Sequence, residues 1–266
     1  MPTPEHPRGS APHPFFRDAE GTRVLAHRGL VTDEMRADGI AENTVAAFAA
    51  ADAAGVVFAE SDCHLTADGE VVLFHDANLE RVTGDPRDVA DVPLRELEDM
   101  MAERGGLTTL EQALEAFPDL RFNIDVKAEG AAEPTGRIAA PHAHRVLLTS
   151  FSDRRRLAAL AAARREGGAP ATSAGMGTVA RVLALASVGR SAHAARLLRD
   201  VDALQIPERQ KGLPVLTRRL LEAAHGAGTE VHVWTVNEPS DMSRLLARGV
   251  DGIVTDRADV AHDVLS

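Results

Sequence analysis

Residues 56–76 read VVFAESDCHLTADGEVVLFHD. Two short apolar runs, 56–59 and 71–74, flank the sequence T-A-D-G. Asp and Gly supply the backbone freedom of a turn, so the stretch reads as two strands with a turn between them. The first run passes into Glu60-Ser61-Asp62 and the second into His75-Asp76. Apolar strands that end in carboxylates and an imidazole call for an explanation.

The rhythm around this stretch supplies one. Strand-like runs recur at 23–29, 56–62, 121–127, 145–152, 169–175, 201–207, 230–237 and 251–256. Ala- and Leu-rich stretches of helical spacing separate most of them, such as ENTVAAFAAADAAG at 42–55 and LTRRLLEAAHGAG at 216–228. Strands alternating with helices argue for parallel βαβ units, and eight of them predict an α/β fold of the (β/α)8 TIM-barrel kind. An open doubly wound sheet is the alternative, but no G-x-G-x-x-G follows the first strand. Residues 63–120 are too many for one ordinary connection. They hold the extra strand at 71–75 and a small insertion after the second strand, at about 77–106. The expected organisation is an extended N-terminal lead-in over residues 1–22 and one barrel domain over 23–266.

Composition narrows the function. The chain has 266 residues and a formal net charge of −11. An acidic protein without a basic run is a poor partner for DNA or RNA, so no nucleic acid is expected. Cys63 is the single cysteine, so no internal disulfide can form. No segment approaches the ~20 apolar residues of a membrane span, and the first residues carry no run of signal-peptide length. A cytoplasmic location without stable membrane insertion is the expectation; the sequence does not give the oligomeric state.

Barrel enzymes carry their reactive groups at the C-terminal ends of the strands. Those ends offer His27 and Arg28, Glu60 and Asp62, His75, Asp125 and Lys127, Thr149 and Ser150, Trp234 and Asn237, and Thr255 and Asp256. Glu60 and Asp62 are two apart and share a strand face, as do Asn123, Asp125 and Lys127. Carboxylates converging from two strands make a hard-oxygen site suited to Mg²⁺ or Ca²⁺, against the bland alternative of solvated rim acids. His27 and His75 can supply one general base and one general acid. Cys63 has the opposite parity and reads as buried packing. His64 shares parity with the acids but reads as structural. Trp234 either packs a substrate alcohol or fills the barrel wall.

The motifs A-H-R-G at 26–29, E-N-T at 42–44, E-x-D at 60–62, T-x-D-G at 66–69, H-D at 75–76, R-x-T-G at 81–84, N-I-D-V-K at 123–127, W-T-V-N at 234–237 and G-V-D-G-I-V-T-D at 249–256 occur in this order. The ordered set resembles the glycerophosphodiester phosphodiesterase family over nearly the whole chain. The resemblance implies a divalent metal, Ca²⁺ or Mg²⁺, on Glu60, Asp62 and Asp125. It implies His27 and His75 as the acid–base pair and Arg28 and Lys127 as holders of phosphate oxygens. Glu42 would stand in or next to the metal shell. The family more often has Glu where this chain has Asp125, a shorter arm that could admit a water.

The implied reaction is hydrolysis of a small-molecule glycerophosphodiester to glycerol 3-phosphate and an alcohol. Metal, Arg28 and Lys127 would offset the charge that grows on phosphate, while one histidine activates the nucleophile and the other, expected to be His75, protonates the leaving alkoxide. Attack by the glycerol hydroxyl through a cyclic phosphate is compatible with the resemblance. The alternatives are a phospholipase D-like or phosphoinositide-type phosphodiesterase or lyase on the same barrel, and a non-catalytic barrel that binds a phosphorylated ligand. The lack of an aromatic or amphipathic membrane-binding segment favours a soluble substrate.

Overall fold

A computed structural model describes residues 12–17 and 21–265, without the side chains of residues 262, 263 and 265. Eleven strands occur among them: β1 (Arg23–His27), β2 (Phe58–Leu65), β3 (Val71–Leu73), β4 (Arg121–Val126), β5 (Val146–Thr149), β6 (Ala171–Thr172), β7 (Ala203–Ile206), β8 (Arg209–Gln210), β9 (Leu213–Pro214), β10 (Glu230–Val233) and β11 (Gly252–Thr255). Eight pair in parallel in the order β6-β5-β4-β2-β1-β11-β10-β7. A parallel bridge between Ser173 and Ala203 brings the two ends of this path together. The result is a nearly closed barrel of eight parallel strands with helices between them, the (β/α)8 architecture the sequence predicts. β3 pairs antiparallel with β2, Cys63 opposite Leu73.

Register fixes the height of the site. His27 is level with Glu60, Glu60 with Asn123, Asp62 with Asp125, and Asp125 with Thr149. The polar strand ends therefore form two adjoining rows at the C-terminal mouth. At the opposite end, Phe15 and Phe16 are buried against Leu25, Phe58, Leu147 and Val254. The extended lead-in expected for residues 1–22 differs here: Pro14–Phe16 forms a 3-10 turn that closes the barrel floor. Two adjacent aromatic rings gain more by burial than by exposure. The His13 ring accepts the Phe15 N–H at 3.1 Å, which caps the turn. Residues 1–11, His6 included, and 18–20 lie outside the described residues.

Residues 77–106 share an apolar cluster with Val72, Phe74 and Leu107, in which Leu79, Val89, Val92, Leu97 and Met101 are fully or almost fully buried. The β8–β9 hairpin was not expected from the sequence. Its two-residue turn is Lys211-Gly212, both with positive φ (48° and 80°), the geometry of a tight hairpin turn. No helix among the described residues is long and apolar enough to cross a membrane.

Candidate active site

The H-R-G motif is a sharp exit from β1. Arg28 has φ 60° and Gly29 φ 84°. A Cβ on Gly29 would stand 2.8 Å from the backbone of Ala47, so only glycine fits this approach. The Asn43 N–H donates to the Arg28 carbonyl at 2.9 Å, and the Asn43 side chain accepts from Ser61 Oγ at 2.7 Å. Asn43 is buried and ties the β1 exit to β2. Thr44 then caps the helix Val45–Ala53. The sequence motif E-N-T is thus an anchor as much as a reactive element.

Each histidine is held by a carboxylate. His27 Nδ1 lies 2.7 Å from Asp256 Oδ1, and His75 Nδ1 lies 2.7 Å from Asp76 Oδ1. Asn237 donates from Nδ2 to Asp256 Oδ2 at 2.8 Å and accepts the Asp256 N–H at 2.9 Å. Arg81 Nε holds Asp76 Oδ2 at 2.5 Å. A carboxylate on Nδ1 fixes the tautomer and leaves Nε2 free to exchange a proton. Burial lowers the His27 pKa, but the Asp256 hydrogen bond and the Glu60 charge outweigh it and the net shift is upward. Burial raises Asp256, yet its bonds to His27 and Asn237 hold it below the usual carboxylate range. Sequence reasoning named Asp256 and Asn237 as strand-end residues without a role. Asp76 and Arg81 stood only inside the motifs H-D and R-x-T-G.

The acids and cations interlock. Lys127 Nζ lies 2.8 Å from Asp62 Oδ1 and 2.7 Å from Asp125 Oδ2. Arg28 Nη1 donates to Glu42 Oε1 at 2.7 Å, while its Nε is 3.2 Å from Asp62 Oδ2 without the alignment of a hydrogen bond. Glu42 also accepts from Arg81 at 2.7 Å. Burial lowers the Lys127 pKa, but the charges of Asp62 and Asp125 outweigh it and the net shift is upward. Burial and the neighbouring Asp62 charge push the Glu60 carboxyl up. Burial likewise raises Asp125, against the pull of Lys127.

Glu60, Asp62 and Asp125 all reach the mouth, but no three His, Cys, Asp or Glu side chains among the described residues are grouped to hold an ion as they stand. The Lys127 ammonium sits between two of the three. The chemistry of the donors nevertheless fits a hard divalent cation. Glu60 Oε2, Asp125 Oδ1 and Asn123 Oδ1 are buried oxygens without a hydrogen-bond partner. Buried polar atoms left unpaired are costly unless a ligand satisfies them.

One cavity of about 500 Å³ brings together His27, His75, Arg28, Lys127, Glu60, Asp62 and Asp125, with Trp234 in its wall. Glu42 lies on an adjoining cleft that shares His27 and Arg28. Cys63 is fully buried beside Thr135 Oγ1 at 3.3 Å, and burial pushes its thiol up to about 12. His64 is buried, its Nε2 3.1 Å from the His75 carbonyl, where it steadies the second histidine's backbone. His232 is fully buried in β10 against Glu230, its ring centroid 5.9 Å from that of Phe16 on the barrel floor.

A parallel barrel with titratable groups gathered at its C-terminal mouth is the architecture of a barrel enzyme. Residues 27–260 match the family model described as the glycerophosphoryl diester phosphodiesterase family. The chain is 39% identical to the probable glycerophosphodiester phosphodiesterase 2 of Mycobacterium tuberculosis, over 97% of this chain and 96% of that one. Its fold resembles the crystal structure of a glycerophosphodiester phosphodiesterase from Thermotoga maritima, at TM-score 0.69 and 25% identity, covering 92% of this chain and 99% of that one. An Oleispira antarctica phosphodiesterase, solved in complex with the product sn-glycerol-3-phosphate, is similar in fold at TM-score 0.69 and 23% identity, covering 92% and 96%. The chain belongs to the glycerophosphoryl diester phosphodiesterase family and is an enzyme, a phosphoric diester hydrolase.

Proposed function

We propose that this enzyme hydrolyses glycerophosphodiesters to glycerol 3-phosphate and an alcohol by histidine acid–base catalysis with a divalent cation. The observation that carries the reading is the single cavity shared by His27, His75, Arg28 and Lys127. Two imidazoles, each with Nδ1 held by a carboxylate, can divide the two proton transfers, one from the nucleophile and one to the leaving alkoxide. Arg28 and Lys127 supply fixed positive charge for the phosphate oxygens. Asp62 holds both cations, which keeps them from following solvent.

The charge balance supports the cation. Glu60, Asp62 and Asp125 outnumber Arg28 and Lys127 at the centre of the cavity. Fully ionised, this cluster carries one net negative charge and repels a phosphodiester. A divalent cation would reverse that sign, and Glu60, Asp62 and Asp125, with Asn123 beside them, would hold it. When bound it would act as a Lewis acid on a phosphate oxygen, and Mg²⁺ and Ca²⁺ both suit the donors. Lys127 and the cation then compete for the Asp62 and Asp125 oxygens.

The test is turnover of glycerophosphocholine after treatment with EDTA, with Mg²⁺ or Ca²⁺ added back, alongside His27→Ala and His75→Ala. Loss on chelation, recovery on add-back, and a fall of about 10²-fold or more in kcat for each variant are expected. Wild-type turnover in both folded variants refutes the acid–base roles. Activity indifferent to chelation refutes the cation.

A further inference from the structure

Lys127 is asked to hold phosphate, yet its contacts are with the acids that would hold the cation. Its Nζ stands 2.8 Å from Asp62 Oδ1 and 2.7 Å from Asp125 Oδ2. The other Asp62 oxygen accepts from Asn43 Nδ2 at 3.4 Å and lies 3.2 Å from Arg28 Nε. Both Asp62 oxygens are therefore engaged, whereas Asp125 Oδ1 and Glu60 Oε2 have no hydrogen-bond partner. A hard divalent cation that draws on all three acids must take an Asp62 oxygen from side chains that already hold it.

The ammonium is the partner able to yield. A lysine head is a compact charge on a flexible stem, whereas Arg28 carries a planar fork that Glu42 also holds. The Lys127 side chain is 21% exposed, against 3% for Asp62 and 7% for Asp125, so it has room that the acids lack. A second resting place adjoins it. Nζ lies over the Phe151 ring, 5.4 Å from its centroid, and Trp234 braces that ring edge to face at 5.8 Å. An aromatic face attracts a cation. Phe151 and Trp234 line the same cavity as the two histidines, so an ammonium drawn toward the ring stays within the space a phosphate would enter.

We propose that Lys127 is a tethered competitor of the divalent cation, and that Phe151 is the positioning residue that receives its ammonium when the cation binds. This rests on the cation reading above. Before a cation binds, the ammonium offsets the charge of Asp62 and Asp125 and keeps the two carboxylates together. Once a cation shares those carboxylates, the like charges separate, and Lys127 turns from their counter-ion into a holder of phosphate oxygens. The competition keeps cation affinity below what the three acids alone would give.

The experiment titrates the EDTA-treated full chain with Ca²⁺ and with Mg²⁺, followed by calorimetry and by the fluorescence of Trp234, the single tryptophan. Lys127→Met keeps the stem and removes the charge. It is expected to bind the cation about tenfold tighter or more, because a like charge beside the ion is gone. Phe151→Leu is expected to weaken binding about two- to fivefold, the worth of an exposed cation–π contact. In the Lys127→Met background the same change leaves affinity unaltered, which isolates the pair. Equal or weaker binding by folded Lys127→Met overturns the competition and leaves the cation reading standing. A Phe151→Leu effect that persists in that background overturns the positioning role. If Lys127→Met does not fold, Phe151→Leu alone decides, and unaltered affinity there overturns the proposal. A wild-type chain that binds neither ion overturns this proposal and the cation reading together.

Discussion

Asp256 is the residue whose replacement tests the most about the site. Its Oδ1 lies 2.7 Å from His27 Nδ1, and its Oδ2 accepts from Asn237. In Asp256→Asn the shape is kept but the polarity is not. Asn237 Nδ2 demands an acceptor, so the new amide turns its oxygen there and its NH₂ toward His27. Nδ1 must then accept, and the ring proton moves to Nε2, the nitrogen that would exchange protons with substrate in the proposed mechanism. A wrong tautomer removes one acid–base partner, worth about 10²–10⁴ in kcat. The charge effect can be sized separately. A hydrogen bond to a charged group contributes about 1.5–3 kcal/mol, and Asp256 is 42% exposed, so screening favours the low end. That is about one pKa unit. Asp256 helps raise the His27 pKa, so its loss moves the pH–rate limb of His27 to lower pH, whether that limb is the acidic or the basic one. The assay is kcat and KM for glycerophosphocholine across pH, with the melting temperature as a check on folding. Asp259→Asn is the surface control, since Asp259 pairs with the nearby Arg257 at the surface. A folded Asp256→Asn enzyme with wild-type kcat and unshifted limbs would refute the tautomer argument.

Two further outcomes follow from burial. Phe15→Ala opens a void in the barrel floor, at about 3–5 kcal/mol, and lowers Tm on the order of 10 °C while kcat stays near wild type; an unchanged melt would show that the Pro14–Phe16 turn does not hold the floor closed. Cys63, with its thiol pushed up to about 12, resists iodoacetamide at mildly alkaline pH and reacts once denaturant exposes it; mass-spectrometric labelling of the native protein would contradict its burial.

The eight barrel strands were legible because each is a compact apolar run followed by polar residues. The site acids were legible because a strand has period two: Glu60 and Asp62 reach the same cavity for that reason, and Cys63 is turned away. What the sequence hid has a common physical cause, long separation along the chain. His27 and Asp256 are 229 residues apart and meet only because β1 pairs with β11, Ala26 beside Thr255. Phe15 and Phe16 find their burial against strands from the whole barrel. The β8–β9 hairpin was hidden for the opposite reason. Two-residue strands carry too little pattern, and Lys211-Gly212 is a weaker turn signal than Asn-Gly.

The two histidine pairs have the same local chemistry but different supports. His75, Asp76 and Arg81 come from one short stretch at the edge of the 77–106 insertion, and His64 holds the His75 carbonyl from β2. His27 and Asp256 come from opposite ends of the chain and exist as a pair only when the barrel closes. Arg81 joins the two arrangements, because it binds both Asp76 and Glu42, and Glu42 in turn holds Arg28 beside His27. The chain of contacts from Asp76 through Arg81 and Glu42 to Arg28 thus ties the insertion to the β1 exit. It sets the second histidine relative to the first without direct contact between them. The R-x-T-G motif is then a clamp between two halves of one site, and the insertion's small core keeps that clamp in place.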